Sequence, residues 1–230
     1  MAAVAPAIPG YRLLRLLGQG GMGAVYLVEP ADLPGAVRAL KVLPAQEARA
    51  RERFLREAEL LARVGAHPAV ARIHAAGEHE GQPWLVMEYV EGEDLAQALT
   101  TRGPLPWREA LEHAADVADG LDHVHRAGVV HRDVKPSNIV VARPDARGRR
   151  RPVLIDFGVA TAADLDRLTR TGAVVGTIAY LPPEAAAGEP RDARSDLFAL
   201  GATLYELLTG HLLVDGHGLA AIFGQLLDGR

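Results

Sequence analysis

The sequence predicts an α+β fold in two parts: an antiparallel, strand-rich segment with one helix, then a mainly helical segment. Three observations predict it. Apolar residues alternate with period 2 in short runs through residues 11–90. Two long apolar helix patterns, 107–127 and 196–208, dominate the remainder. Gly92, Pro104 and Pro106 mark the change of character between them. The expected organisation is a flexible tail over 1–10, a small lobe over 11–90 and a second lobe over 91–230.

Tyr11–Leu17 and Ala24–Glu29 read as strands flanking a glycine cluster, Gly18 to Gly23. Val37–Leu43 is a third strand, and its period places Val37, Ala39, Lys41 and Leu43 on one face. A lysine in that apolar row is the first anomaly, because a charged side chain is seldom buried without a partner. Residues 46–64 read as a helix, with Phe54, Leu55, Ala58, Leu61 and Ala62 at helical spacing and Glu57 beside the stripe. Val70–Ala76 and Trp84–Val90 read as two more strands. Trp107–Ala127 is the strongest helix, closed by Gly128. Short strands follow at 139–142 and 153–155, joined by a basic loop, Arg143 to Arg151, that reads as a solvated hairpin tip. Gly158–Glu184 is a long loop, and Asp196–Leu208, apolar on nearly every side, is a buried central helix.

Composition narrows the function classes. The net charge of −4 gives no global basic field and argues against a nucleic-acid partner. The absence of cysteine excludes disulfides, thiolate metal sites and cysteine nucleophiles. No apolar run approaches the ~18 residues of a membrane span, so no membrane segment is expected here. Residues 1–9 lack the basic start of a signal peptide. His113, His123 and His125 do not share a helix face as a ligand set and read as surface or second-row residues.

The residues that bear chemistry come in a fixed order. Gly18-Gln19-Gly20-Gly-Met-Gly23 lies between two strands, so it suggests a flap whose backbone amides close over phosphates, since a Cβ would hold an anion away. His131-Arg-Asp133-Val-Lys135-Pro-Ser-Asn138 brings an acid, a cation and an amide oxygen into one loop. Asp156-Phe157-Gly158 follows an apolar strand, where a carboxylate needs a cation or donors.

Taken together these motifs resemble the eukaryotic-like (Hanks-type) protein kinase family, and most of all its bacterial serine/threonine members, from about Tyr11 to Gly210. The resemblance implies a bilobal kinase fold that binds ATP and Mg2+ (or Mn2+) in the cleft and phosphorylates Ser/Thr hydroxyls of proteins. It implies that Gly18, Gln19, Gly20 and Gly23 cover the phosphates, and that Val25, Ala39 and Val140 contact the nucleotide, with Val25 and Ala39 sandwiching adenine. Lys41 would hold the α and β phosphates with Glu57 as its helix partner. Met87 falls at the gatekeeper, Glu88 to Val90 at the adenine-binding hinge and Asp94 at the ribose contact. Asp133 matches the catalytic base, Lys135 the γ-phosphate lysine, and Asn138 and Asp156 the metal ligands. Leu61, Ile73, His131 and Phe157 match an internal stack anchored by Asp196.

Thr169 and Thr171 match activation-loop phosphorylation positions, Arg132 the group that would pair with the added phosphate, and Thr177 a partner of Asp133 and Lys135. A homodimer for trans-autophosphorylation and a cytoplasmic location, free or within a longer membrane-anchored chain, also follow from the resemblance. A small-molecule phosphotransferase is disfavoured by Lys135, Thr177 and Pro182-Pro183-Glu184.

Three departures from the family pattern bear on activity. Pro182 stands where the family has Ala or Ser. His211–Asp215 replaces a proline-rich turn. The last helices of the large lobe fall beyond residue 230, and with them the arginine that pairs with Glu184, so the chain reads as truncated. That leaves Glu184 expected as a partnerless carboxylate and the central helix expected to expose Leu and Phe side chains. The alternative function is therefore a catalytically weak or inactive nucleotide-binding module.

Overall fold

The computed structural model describes residues 8–20, 23–44, 48–157, 178–214, 222 and 224–226. The chain divides into two compact units. One comprises Met1–Gly65 and Arg72–Tyr89, the other Ala66–Ala71 and Val90–Arg230.

The first unit is an antiparallel sheet of five strands: β1 (Tyr11–Gly20), β2 (Gly23–Pro30), β3 (Arg38–Val42), β4 (Ile73–His79) and β5 (Gln82–Glu88). Their order is β1-β2-β3-β5-β4, and helix α1 (Ala48–Arg63) packs on β4 and β5. Alternation does the sorting. Tyr26, Val28, Leu40, Val42 and Val86 close one apolar cluster. Ile8 joins that cluster at 4% exposure, so the flexible tail expected over 1–10 does not include it. Gly77 is a packing requirement, since a Cβ there would lie 2.5 Å from the Trp84 ring. The buried Glu29 carboxylate accepts hydrogen bonds from the Arg12 guanidinium and the Gly35 amide, which hold it below the usual carboxylate range.

The second unit opens with β6 (Gly92–Asp94) and α2 (Leu95–Arg102), neither anticipated from the sequence. Helix α3 (Trp107–Arg126), a 3-10 turn (Pro136–Asn138), β7 (Ile139–Ala142), β8 (Pro152–Leu154), the short α4 (Pro183–Ala186) and α5 (Ala193–Thr209) follow. Strands β6, β7 and β8 form a small antiparallel sheet. Helix α3 packs on α5, with Ala110, His113, Val117, Leu121 and Val124 of α3 buried. Pro182, the departure from the family pattern, caps α4 at φ −73, which the proline ring adopts without strain, and Pro183 sits at the first position of α4, where a missing amide hydrogen removes no helix bond.

Further expectations are corrected. The strand expected over 70–76 begins only at Ile73. Ala66–Ala71 belongs to the second unit, where Ala71 N donates to Leu154 O (2.9 Å) and Leu154 N to Ala69 O (2.8 Å). The His67 ring stacks on His123 at 5.0 Å, and its Nε2 lies 3.1 Å from Asp119 Oδ2. Because His67 Nδ1 accepts the Ala69 amide, Nε2 is the donor to that carboxylate. Gly120 admits this segment, since a Cβ there would sit 2.9 Å from Val70 Cγ2. Apolar alternation reads the same whichever sheet the segment joins.

His113 is not a surface residue. It is 7% exposed, and burial pushes its imidazole below the ordinary 6.5 against the opposing pull of Glu109. The central helix is only partly buried: Leu197 and Tyr205 are exposed, whereas Phe198 packs on the cluster of Ile178, Leu181, Val214, Ile222 and Leu226. Among the described residues no helix is long and apolar enough to cross a membrane.

His113 Nε2 and Thr203 Oγ1 are buried without hydrogen-bond partners, and both residues line the same gap between α3 and α5. A histidine kept neutral by burial contributes stability above 6.5 that is lost as pH falls below it, because the unfolded chain then binds more protons. The stability of the chain in urea should therefore fall between pH 7.5 and pH 5, and His113→Leu should make that fall shallower. An unchanged slope in the variant would show that His113 is not the group being charged.

Candidate active site

The loop after α3 carries the densest polar network. It starts with Asp196, which α5 buries to 1% exposure. One of its oxygens, Oδ1, accepts Arg132 N at 2.7 Å. The other, Oδ2, accepts His131 N at 2.7 Å and His125 Nε2 at 2.7 Å. Arg132 is held there at φ 67, a conformation costly for a non-glycine residue and compensated here by that ionic acceptor. His131 is fully buried and burial pushes its imidazole toward the neutral form. Its Nε2 donates to Ile155 O (3.2 Å) while Nδ1 accepts Asp133 N (3.3 Å), which fixes the tautomer.

This frame presents Asp133. Its carboxylate accepts Lys135 Nζ on both oxygens (2.9 and 2.8 Å) and Asn138 Nδ2 on Oδ2 (2.8 Å). Asn138 Nδ2 also donates to Asp133 O (2.8 Å). With both roles of its NH2 taken by acceptors, the amide oxygen of Asn138 is the atom left for a cation. Asp156 follows β8 at φ 60, and Ile155 N donates to Asn138 O at 2.8 Å, tying the two loops together. Phe157 packs its ring 4.6 Å from His131. A carboxylate and an amide oxygen are hard donors of the kind a small divalent cation takes.

The first unit supplies the other half of the predicted residues. Cross-strand pairing sets Val25 opposite Lys41 and Lys41 opposite Leu85; Ala39 stands opposite Met87. Val25, Ala39, Lys41 and Met87 thus share one sheet face, the opposite one from the apolar cluster. Lys41 is 6% exposed there. Glu57 is half-buried on α1. The glycines differ among themselves. At Gly18 and Gly20 a Cβ would meet nothing within 4 Å, and both residues and Gln19 are exposed. At Gly23, φ 119, a Cβ would lie 2.1 Å from Val42 O. Gly23 is required by the approach of β3, whereas Gly18 and Gly20, among the described residues, border open space. Glu88 N donates to Arg72 O (2.8 Å). Asp94 caps α2, accepting Gln97 N on Oδ1 at 2.8 Å, and Val140 is buried in β7.

Sequence reasoning missed three contacts. His125, taken for a second-row residue, bonds Asp196 directly. Tyr180 donates its hydroxyl to Glu206; burial and that carboxylate push the phenol up. Glu184 is half-buried and accepts Ser195 Oγ at 2.8 Å, so the carboxylate expected to lack a partner has one. The spacing Asp192-Ala-Arg-Ser195, a capping-box pattern completed by Asp192 N donating to Ser195 Oγ (3.3 Å), was the available signal. Thr169, Thr171 and Thr177 lie outside the described residues.

Asp196→Ala leaves one buried and one half-buried amide and His125 without that acceptor. Each orphaned donor costs roughly 1–3 kcal/mol, so a loss of at least about 3 kcal/mol is expected in urea denaturation. A loss under about 1 kcal/mol would mean that the loop holds its shape without this carboxylate.

Comparison with known proteins identifies the family. Three relatives carry serine/threonine-protein kinase names. PknJ of Mycobacterium tuberculosis is 44% identical over 204 residues, 87% of this chain and 34% of the relative. The pkn2 protein of Myxococcus xanthus is 45% identical over 212 residues, 90% of this chain and 25% of the relative. PrkC of Bacillus subtilis is 40% identical over 215 residues, 92% of this chain and 32% of the relative. The chain thus spans about a third or less of the length of these curated relatives. Residues 11–228 match the protein kinase domain, a span that takes in both glycine flap and Asp133 loop, and the chain belongs to that family.

Proposed function

We propose that this chain is the catalytic domain of a serine/threonine protein kinase that moves the γ-phosphoryl group of ATP to a protein hydroxyl. The observation that carries the reading is the Asp133 carboxylate, anchored by Lys135 and Asn138 on a loop that Asp196 locks. An anchored carboxylate can accept the proton of an incoming hydroxyl and aim its oxygen, while Lys135 balances charge on the group being transferred. Phosphoryl transfer asks the protein mainly for positioning and charge neutralisation, and these residues supply both.

Residue by residue, Gly18, Gln19, Gly20 and Gly23 form the flap over the phosphates, and Lys41, supported by Glu57, binds the α and β phosphates. Val25, Ala39 and Val140 contact the adenine, with Met87 at the gatekeeper. Glu88 and Val90 give it backbone bonds, and because the Glu88 amide is already used by Arg72, its carbonyl is the group offered. Asp94 binds ribose through the oxygen not used in the cap. Asn138 and Asp156 would hold Mg2+ or Mn2+, which supplies neutralisation of phosphate charge. Thr169 and Thr171 are the proposed autophosphorylation sites, modified in trans within a transient homodimer, with Arg132 receiving the phosphate. ATP supply places the reaction in the cytoplasm.

Incubation with ATP and Mg2+, then with ATP and Mn2+, tests the reading, with phosphosites located by mass spectrometry. Phosphate is expected on Thr169 or Thr171, with an initial rate that rises as the square of protein concentration. Lys41→Met, Asp133→Asn and Asp156→Asn should each reduce incorporation at least ~100-fold with the far-ultraviolet spectrum unchanged. Retained incorporation in all three would overturn the site, and none in the wild type would leave a nucleotide-binding module.

The glycines give a second test. Gly20→Ala should weaken ATP binding with little effect on stability, because its Cβ enters open space. Gly23→Ala should lower stability by more than about 1 kcal/mol, because its Cβ meets Val42 O and its φ is positive. Equal stability of the two variants would contradict the division of roles.

A further inference from the structure

The arginine-rich turn between β7 and β8 takes no part in phosphoryl transfer. Arg143, Arg147, Arg149, Arg150 and Arg151 stand within nine residues whose one acid is Asp145, in a chain of net charge −4. Residues 143–150 are all exposed. The turn nonetheless has a defined backbone. Asp145 Oδ1 accepts Arg147 N (2.8 Å) and Arg149 N (2.9 Å), and Gly148, at φ 75, donates its amide to Asp145 O at 2.8 Å. The acid is thereby engaged by the backbone of its own turn, which holds its carboxyl below the usual range. Arg143 pairs with Glu91 (3.1 Å) and Arg149 with Asp116 (3.3 Å), two contacts that pin the hairpin to the second unit. Arg147 and Arg150 form no side-chain hydrogen bond or ion pair with any described residue.

Shape and chemistry select the partner. The tip is a convex turn, which suits a flat surface and offers no groove to cradle a peptide. It carries no large apolar side chain, so it adsorbs without inserting. A guanidinium fork matches two phosphate oxygens at once. We propose that this hairpin docks the domain on an anionic phospholipid bilayer, with Arg147 and Arg150 on headgroup phosphates. The acidic remainder of the chain is repelled by the same surface, so the hairpin sets the orientation. Screening over about 8 Å at physiological salt confines the attraction to the tip.

Vesicle co-sedimentation of the full chain tests this, using phosphatidylcholine alone and phosphatidylcholine with about one-third phosphatidylserine. Binding is expected to the anionic vesicles alone and to fall with added salt. Arg147→Ser with Arg150→Ser should weaken it roughly tenfold or more, from the usual attraction of each arginine near an anionic surface. A control pair, Arg56→Ser with Arg126→Ser, removes the same charge from α1 and α3 and should bind as the wild type. Far-ultraviolet spectra and autophosphorylation of all variants should match the wild type, so a failure of docking is read separately from a failure of the kinase assignment. Equal binding to neutral vesicles, equal loss in both double variants, or capture of a free acidic peptide or DNA duplex in place of vesicles would each overturn the proposal.

Discussion

The candidate site depends on one buried carboxylate at its base, that of Asp196. Asp196 lies within α5 and is almost fully buried, yet it accepts three short hydrogen bonds from two consecutive backbone amides and one imidazole. A buried anion is tolerable only when donors surround it. Here the donors are the backbone of the very loop that carries Asp133, so satisfying the charge and shaping the loop are one event. The positive φ of Arg132 is the visible consequence. The same geometry directs His131 to bridge Ile155 and Asp133, and packs Phe157 against it, so the two loops that carry Asp133 and Asp156 are built on one support.

The first unit solves a different problem. A five-stranded sheet has two faces, and this one uses them unequally. One face is filled by Tyr26, Val28, Leu40, Val42 and Val86. The other aligns Val25, Ala39, Lys41 and Met87 by cross-strand register. A slip of one residue in β3 would exchange the two sets and bury Leu40 where Lys41 now stands. Gly23 guards that register, because the Val42 carbonyl occupies the space a side chain would need. Gly18 and Gly20 differ: no atom of the described residues comes within 4 Å of where their Cβ would stand.

Small polar contacts organise the start of α5 in the second unit. Ser195 gives Glu184 a hydroxyl donor and closes a capping box at the start of α5 with the same atom. Such a neutral donor suits a half-buried carboxylate that keeps some contact with water. Ala66–Ala71 shows a related economy. It lies between α1 and β4 in sequence, but its hydrogen bonds go to Leu154 and its side chains pack on α3.

The α+β class, the presence of five strands in the first ninety residues and both long helices were legible from apolar periodicity, because alternation and the 3.6-residue repeat are local properties of the chain. So were the identities of Lys41, Asp133, Asn138 and Asp156 as candidates, because their residue types and spacing are local too. The packing partners were not. His125 and His113 look alike in sequence, on one helix, yet one bonds a buried carboxylate and the other is buried without a hydrogen bond at Nε2. The affiliation of Ala66–Ala71, the burial of Ile8 and the different duties of Gly20 and Gly23 were equally hidden. Each depends on which distant atoms come within 3 or 4 Å, and only the folded chain decides that. Sequence by itself determined which groups this protein has for chemistry; tertiary structure decided which of them are held and by whom, because burial and hydrogen-bond geometry exist only once the chain has closed around them.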